Sequence, residues 1–568
     1  MSSTTVLGPR RARALIAQAP WLVLTALVIG LVLLAVVPLQ IKAFQNGAAG
    51  LGELGEIQGL GEVARNTVLF GAGATVVAMI LGTTLALSAY AMPRRLQGLL
   101  GFMPVLPLII PSVAHVVGFV FLFSPENGYV NTLLRRLFSL DASSSGPVNV
   151  YTPTWIIIYT GLHLSAFVYL FVYSGLKDLG TDYARAARVN GAGPLRVMFT
   201  VTLPMLRPVF VYAGMVTLLL SLGQFTGPLL LGRREGLDVL TTRMYFLMSE
   251  QYPVNFPLIA ALGTPLLGIA AVLIFVQRRM AGDQRRYVGR GAESIEQAPT
   301  SRLTRIFATA YVLVFVTLSA ALPLLALAYV SLSPFWTGKL SIDSLSLVNF
   351  EDAFSNPLLL DAITTSFVVT GVGILIVMPL GLLVALTLST RGAIWRPVAA
   401  VLDVAASIPL ALPTTLVGFG FLFVFSSGAL DLYGTRTALI IGFVTIMLPY
   451  AVRYQLTTLI SLGSQTMDAS RVSGAGPLRT FLRILLPLAR GGMAASGAIM
   501  FVLLIHEFGV ALLLRSPEST VMSVLLYDQF SSGSYPQVAV TAIVMTALTS
   551  AGVIAALLFG GSRAMERM

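Results

Sequence analysis

Apolar runs of about twenty residues alternate with short polar segments along nearly the whole chain. A bilayer core of about 30 Å needs roughly 20 apolar residues in helix. Twelve runs meet that length: residues 21–41, 66–90, 98–123, 155–175, 207–230, 257–277, 306–332, 362–388, 398–425, 437–460, 490–514 and 536–560. The polar segments between them differ in charge. With the N-terminus placed in the cytoplasm, most Lys and Arg fall on that side, among them Arg10, Arg11, Arg13, Arg94, Arg95, Arg278, Arg279, Arg285, Arg286, Arg391 and Arg396. Most acids fall outside, among them Glu53, Glu56, Glu62, Asp343, Glu351 and Asp352. Lys/Arg bias sets topology, so both termini are expected inside. The "RRAR" stretch before the first run has no clear small-residue cleavage site after it, and the run reads as a retained first helix.

The basic stretch 278–305 reads as a cytoplasmic linker between a first half, residues 1–277 with its core at about 62–277, and a second half, residues 306–568 with its core at about 361–560. Six spans fall in each half. The two halves also share sequence. "RVNGAGPLRVMFTVTLP" (Arg188–Pro204) returns as "RVSGAGPLRTFLRILLP" (Arg471–Pro487), 283 positions later and without a gap. Leu106–Phe123 resembles Ile408–Phe425, and Leu81–Arg95 is echoed by Leu380–Arg396. Such internal repeats report a duplicated structural unit. An even number of spans per unit gives both copies one orientation, a parallel repeat about an axis along the membrane normal. Loops left over from duplication drift in length; these two segments do not.

Composition narrows the class. Of 568 residues 56% are apolar and 11% charged, against roughly a quarter charged in soluble domains. Mean hydropathy is +0.85. The net charge of +12 is scattered between apolar runs rather than gathered in a stripe, so nucleic acid is not an expected partner. The chain has no cysteine, which excludes disulfides and thiolate metal sites. No G-x-x-x-x-G-K-[ST] occurs, and Lys42, Lys177 and Lys339 are the only lysines. This chain therefore lacks the P-loop cradle for nucleotide phosphates.

The repeated polar segment has a local logic. Asp182 to Val189 reads as one or two helical turns rich in Ala and Arg. Gly191 can take the left-handed conformation that ends such a helix. Pro194 suits the first turn of a second helix, where its missing N–H costs nothing. That helix runs into Leu203-Pro204 and the membrane. Asp468, Gly474, Pro477 and Leu486-Pro487 repeat the scheme. Both copies follow the fourth span of their half, which places both on the cytoplasmic face as docking knobs.

These residues resemble the "EAA" motif of permease subunits of binding-protein-dependent ABC importers, EAA-x3-G-x9-I-x-LP. The first copy reads Arg185-Ala186-Ala187, Gly191, Val201, Leu203-Pro204. The second reads Asp468-Ala469-Ser470, Gly474, Ile484, Leu486-Pro487. Arg185 departs from the motif's Glu, as do Asp468 and Ser470 from Glu and Ala. Over nearly the whole chain the layout is most similar to fused permeases of the ferric-iron transport family, with thiamine and phosphonate permeases close. The resemblance implies an all-α membrane protein of the MetI-like fold, with about 12 transmembrane helices in two parallel six-helix repeats, in a bacterial inner membrane. It implies no catalysis and no cofactor in this chain. A separate ABC ATPase, in two copies that bind ATP and Mg, would dock on the two motifs. A soluble extracytoplasmic protein would deliver the solute, with ferric iron favoured over thiamine, phosphonate or polyamine. An ion-coupled secondary transporter is the alternative of a different class; it would have no need of matched docking segments.

Ionisable residues within spans are functional candidates by default. Glu507 lies 283 positions after Gln224, so equivalent sites in the fifth spans carry a carboxylate and an amide. The pair reads as a cation path, or Glu507 as a structural hydrogen-bonding group. Asp403 is a third candidate, near an interface; Arg453 falls at a span end. His115, His163 and His506 read as packed or hydrogen-bonded residues rather than metal ligands. Pro107, Pro111, Pro409 and Pro413 fall inside the third spans and predict kinks, for gating or for packing.

Overall fold

The computed structural model describes residues 9–141, 144–179, 182–280, 301–389, 394–427, 430–462, 469–470 and 472–560. The described residues are helical, without strands. Eight helices are long and apolar enough to cross a membrane, and four bent pairs bring the number to as many as twelve. Asp468, Arg391, and residues 281–300 of the expected linker, with Arg285 and Arg286, lie outside the described residues.

Two compact units make up the chain. One comprises Ala43–Leu360 with Ser523–Thr546. Its spine is the helix Leu60–Ala91 packed along Pro153–Asp178. Ala74, Ala78, Gly82 and Ala86 recur every four residues on one face of the first helix and are buried. In lipid, apolar surface alone does not drive helices together, so small residues that let backbones approach supply the dispersion contact. A Cβ at Gly82 would stand 2.6 Å from the Ser165 carbonyl oxygen, and one at Gly161 would stand 2.5 Å from Val77.

The other unit comprises Met1–Lys42, Asp361–Met522 and Ala547–Met568. It repeats the same crossing. Gly381 follows Leu380 as Gly82 follows Leu81, and a Cβ there would stand 2.6 Å from Ala451. Packing units and sequence repeats are different objects, because each unit takes in the opening helix of the other half. Arg302–Val316 packs on Leu60–Ala91, with Tyr311 hydrogen-bonded to Thr84 at 2.7 Å. In its own unit, Pro9–Leu34 packs on Arg396–Ala411. The close approach to the added helix falls on equivalent glycines: Gly118 against Pro323 in one unit, Gly420 against the Ala35 carbonyl in the other.

Three expectations about the spans need correction. Runs 98–123 and 398–425 are not single helices. The chain turns by 91° between Arg95–Leu108 and Ser112–Phe123, and by 104° between Arg396–Ala411 and Thr414–Ser426. Pro111 and Pro413 sit at these corners, just ahead of the second helix. Each lacks an N–H and disfavours helix at the residue before it; Leu412 is accordingly extended, at φ −92°, ψ 137°. At 1.5 Å per residue, Ser112–Phe123 is about 18 Å long, short of a bilayer core. The first run is also bent, by 45° between Ala19–Leu34 and Val37–Gln45. Finally, the fifth spans of each half end early, at Leu222 and Ile505 rather than at 230 and 514.

Candidate functional site: the paired coupling segments

The first segment opens with the helix Asp182–Val189, on which Arg185 and Ala186 are exposed and Ala187 half-buried. Its end is a double hydrogen-bonded turn. Gly191 N–H donates to the Arg188 carbonyl at 2.8 Å, and Ala192 N–H to the Ala187 carbonyl at 3.0 Å. Gly191 has φ +79°, the left-handed value that this Schellman turn requires. The next helix starts at Pro194, as expected from its missing N–H. It widens into a π turn over Met198–Thr202, ahead of Leu203-Pro204. Pro204 cannot donate to the carbonyl four residues back, and a π turn is how a ladder takes up such a gap.

The second segment builds the same turn. Ala475 N–H donates to the Ser470 carbonyl at 3.1 Å, and Gly474 has φ +76°. A helix starts at Pro477, and a π turn over Phe481–Leu485 precedes Leu486-Pro487. The Leu-Pro of the motif thus ends a π turn in both copies. Just before each turn stands a valine that touches almost nothing: Val189 is 88% exposed and Val472 89%.

The copies differ inside. In the second, Ser470 and Thr480 are buried and share a hydrogen bond of 2.6 Å that ties the two sides of the bend together. Their equivalents in the first copy are Ala187 and Val197, and Val197 is buried. A polar pair thus stands where the first copy has an apolar one, which accounts for Ser470 at the motif's third position. The copies also leave the segment differently. After Pro204 the chain bends by 59° into Arg207–Leu222, where Pro208 removes a further donor. The second copy has Gly491 at that position, and Phe481–Ile505 runs on without such a bend.

Gln224 and Glu507 both lie past the end of a helix rather than within a span. Glu507 accepts from Val510 N–H at 3.0 Å and so caps the helix Gly509–Leu514. Helix N-termini favour a carboxylate in this position. Gln224 lines a cleft with Thr67, Thr160 and Ser221 that has space on the order of one water molecule. Its carbonyl accepts from Thr241. In each half a hydroxyl takes up the first backbone N–H of the following helix: Leu240 N–H donates to Thr67 at 2.9 Å, and Met522 N–H to Ser366 at 2.8 Å. Asp403 is ion-paired with Arg453 at 2.9 Å, and Arg453 also donates to Ser407 at 2.6 Å. Both sit within helices, Arg396–Ala411 and Arg436–Ser461, which they pin together. None of these three candidates is placed beside another by the contacts described.

His115 and His163, far apart in sequence, have ring centres 5.8 Å apart. His115 Nε2 is 2.6 Å from the Ser319 carbonyl, which belongs to a π turn in the Arg302–Leu332 span. Among the described residues no three His, Cys, Asp or Glu gather into a metal-holding group. His506 bonds Thr549 at 3.0 Å.

A duplicated helical membrane protein with a matched polar segment in each repeat defines a class of multi-pass permease. Residues 74–286 and 377–561 match the family of binding-protein-dependent transport system inner membrane components, and the chain belongs to that family. Each matched stretch holds one of the two segments. The chain is 24% identical to a probable ABC transporter permease protein (y4fN) of Sinorhizobium fredii, over 93% of both chains. It is 22% identical to the ferric transport system permease protein FbpB of Actinobacillus pleuropneumoniae, over 84% of this chain and 69% of that one. A sulfoquinovosyl glycerol transport system permease of Agrobacterium fabrum is 30% identical over 34% of this chain. The protein is a multi-pass ABC importer permease.

Proposed function

We propose that the two segments are the docking points of a separate ATPase, one copy on each, and that its closure on ATP reorients the two repeats. The supporting observation is the pair of Schellman turns at Gly191 and Gly474, built alike 283 positions apart and each presenting an exposed valine. An ion-coupled carrier has no use for such matched knobs. The coupling segments face the cytoplasm in this reading, as the arginine-rich loops indicate. ATP and Mg belong to the ATPase; this chain supplies no cofactor. A soluble binding protein hands over the solute on the opposite face.

Ferric iron is the favoured solute, supported by the named transport of the relative aligned over 84% of the chain. The permeases for sulfoquinovosyl glycerol and sn-glycerol-3-phosphate align over only about a third. Co-purification tests the docking: Gly191→Pro with Gly474→Pro abolishes ATPase binding in detergent, and intact binding would overturn it. A thermal-shift screen of the partner binding protein tests the solute: stabilisation by ferric iron supports the reading, and stabilisation only by an organic solute refutes it.

A further inference from the structure

The first half carries a feature that the second lacks. Residues 124–152 join Ser112–Phe123 to Pro153–Asp178, whereas residues 427–435 suffice to join Thr414–Ser426 to Arg436–Ser461. The longer connection contains the helix Tyr129–Leu137, which is built inside out.

Its polar side points inward. The Asn131 amide, fully buried, donates to the carbonyls of Phe123, Ser124 and Val148 at 2.7–3.0 Å and accepts from Val148 N–H at 3.0 Å. Arg135, also buried, donates to the carbonyls of Pro125, Ser144 and Glu126 at 2.8–3.0 Å. Its apolar side points outward: Leu133 is 64% exposed and Leu137 71%, with Phe138 and Leu140 exposed beside them. Leu133 and Leu137 lie one turn apart on the same helix face, and Phe138 and Leu140 follow past the helix end.

The neighbouring connection extends the patch. Gly338, at φ +70°, packs against the Asn127 carbonyl, and the rings of Tyr129 and Tyr329 meet edge to face at 5.3 Å. From there Phe335, Leu340 and Ile342 are exposed, the last at 82%. Contiguous apolar surface of this kind needs a partner other than water.

We propose that this collar lies in the headgroup–acyl boundary of the leaflet opposite the coupling segments and anchors the first repeat in it. Pro153–Asp178 carries the collar at one end and the first coupling segment just past the other, about 39 Å apart at 1.5 Å per residue. The collar continues directly from the membrane-crossing helices, so lipid already borders it. Tyr329, whose hydroxyl donates to the Ser341 carbonyl at an exposed position, is an aromatic residue of the type that settles at the interface. The exposed Arg136 and Lys339 have stems long enough to carry their charge to the headgroups. An outward apolar stripe with inward polar anchors is the arrangement of an interfacial helix.

The native chain has no cysteine, so single nitroxide labels report without background. Leu133→Cys, Leu137→Cys and Ile342→Cys remove little packing, because these side chains are exposed. In the full chain in phosphatidylcholine–phosphatidylglycerol nanodiscs, oxygen is expected to relax all three labels more than the water-soluble nickel chelate does. A label on Ser145→Cys, an exposed polar position of the same connection, shows the reverse. Chelate-dominated relaxation at Leu137 and Ile342 would overturn the proposal. So would water accessibility there that disappears only on adding the binding protein, which would make the collar a protein dock.

Discussion

The two coupling segments share a bend and differ in what holds it. Both turn on a glycine near φ +78°, both restart on a proline, and both pass through a π turn before Leu-Pro. The first is closed by apolar packing around Val197, and the second by the buried Ser470–Thr480 hydrogen bond. The first leaves through a 59° bend at Pro208; the second leaves without one. The features in common are those that place an exposed valine at the tip of a sharp turn. The interior was free to diverge because either kind of closure supports the same outline. Position 185/468 diverged in charge, Arg against Asp, so in the proposed docking the two segments offer the ATPase unlike charges.

The shared bend gives the largest expected effect. No neighbour lies within 4 Å of a Cβ added at Gly191 or Gly474, so a side chain there meets only the backbone conformation. Holding a branched residue at positive φ costs about 1–2 kcal/mol. Gly191→Val and Gly474→Val should each weaken ATPase binding on the order of tenfold, measured by titration of the detergent-solubilised permease. Unequal losses would show that the ATPase leans on one segment.

The closures give the next. Thr480→Val leaves the Ser470 hydroxyl buried without its partner and should destabilise the permease by about 1–3 kcal/mol. Ser470→Ala with Thr480→Val recreates the pair of the first copy and should recover most of that. A double variant as unstable as the single one, in thermal unfolding, would break the equivalence of the two closures.

A smaller effect belongs to the longer connection of the first half, residues 124–152. Burial would raise the Glu126 carboxyl, but hydrogen bonds from Arg234, at 2.6 and 3.0 Å, and from Ser124 outweigh it and hold the pKa below the ordinary carboxylate range. A depressed folded-state pKa contributes stability that is present above the unfolded-state value and lost as pH falls through the folded one. The melting-temperature difference between wild type and Glu126→Gln should therefore be constant at neutral pH and vanish on acidification. Both side chains are about half exposed, so the difference is small and shrinks with salt. The smallest effect is geometric. Pro208→Ala restores an N–H and should straighten the first exit toward the second. Nitroxides on Phe199→Cys and Leu220→Cys should move apart, and an unchanged distance would assign the bend to packing.

Much of this was legible in sequence wherever a local rule governs. Gly191, Gly474, Pro194 and Pro477 announce a turn and a restart through their own backbone preferences, and the ungapped repeat doubles the signal. The π turns were not legible, because Leu-Pro inside a helix predicts a disturbance without its form. The corners at Pro111 and Pro413 were read only as kinks, since turning angle depends on what each arm packs against. The Ser470–Thr480 bond, the Asp403–Arg453 pair and the exchange of opening helices are tertiary facts without local signature. The inward polar face of Tyr129–Leu137 was not legible either. Its Asn and Arg are residue types that ordinarily face solvent, and only the carbonyls of the surrounding connection turn them inward.

The central claim is that both segments reach one motor on the cytoplasmic side. Val189→Cys and Val472→Cys test it together, in an otherwise cysteine-free chain. A membrane-impermeant maleimide should spare both in intact cells, label both in inside-out vesicles, and be blocked at both once the ATPase is bound. Labelling of either site from outside intact cells, or reactivity that the ATPase leaves unchanged, would contradict the account.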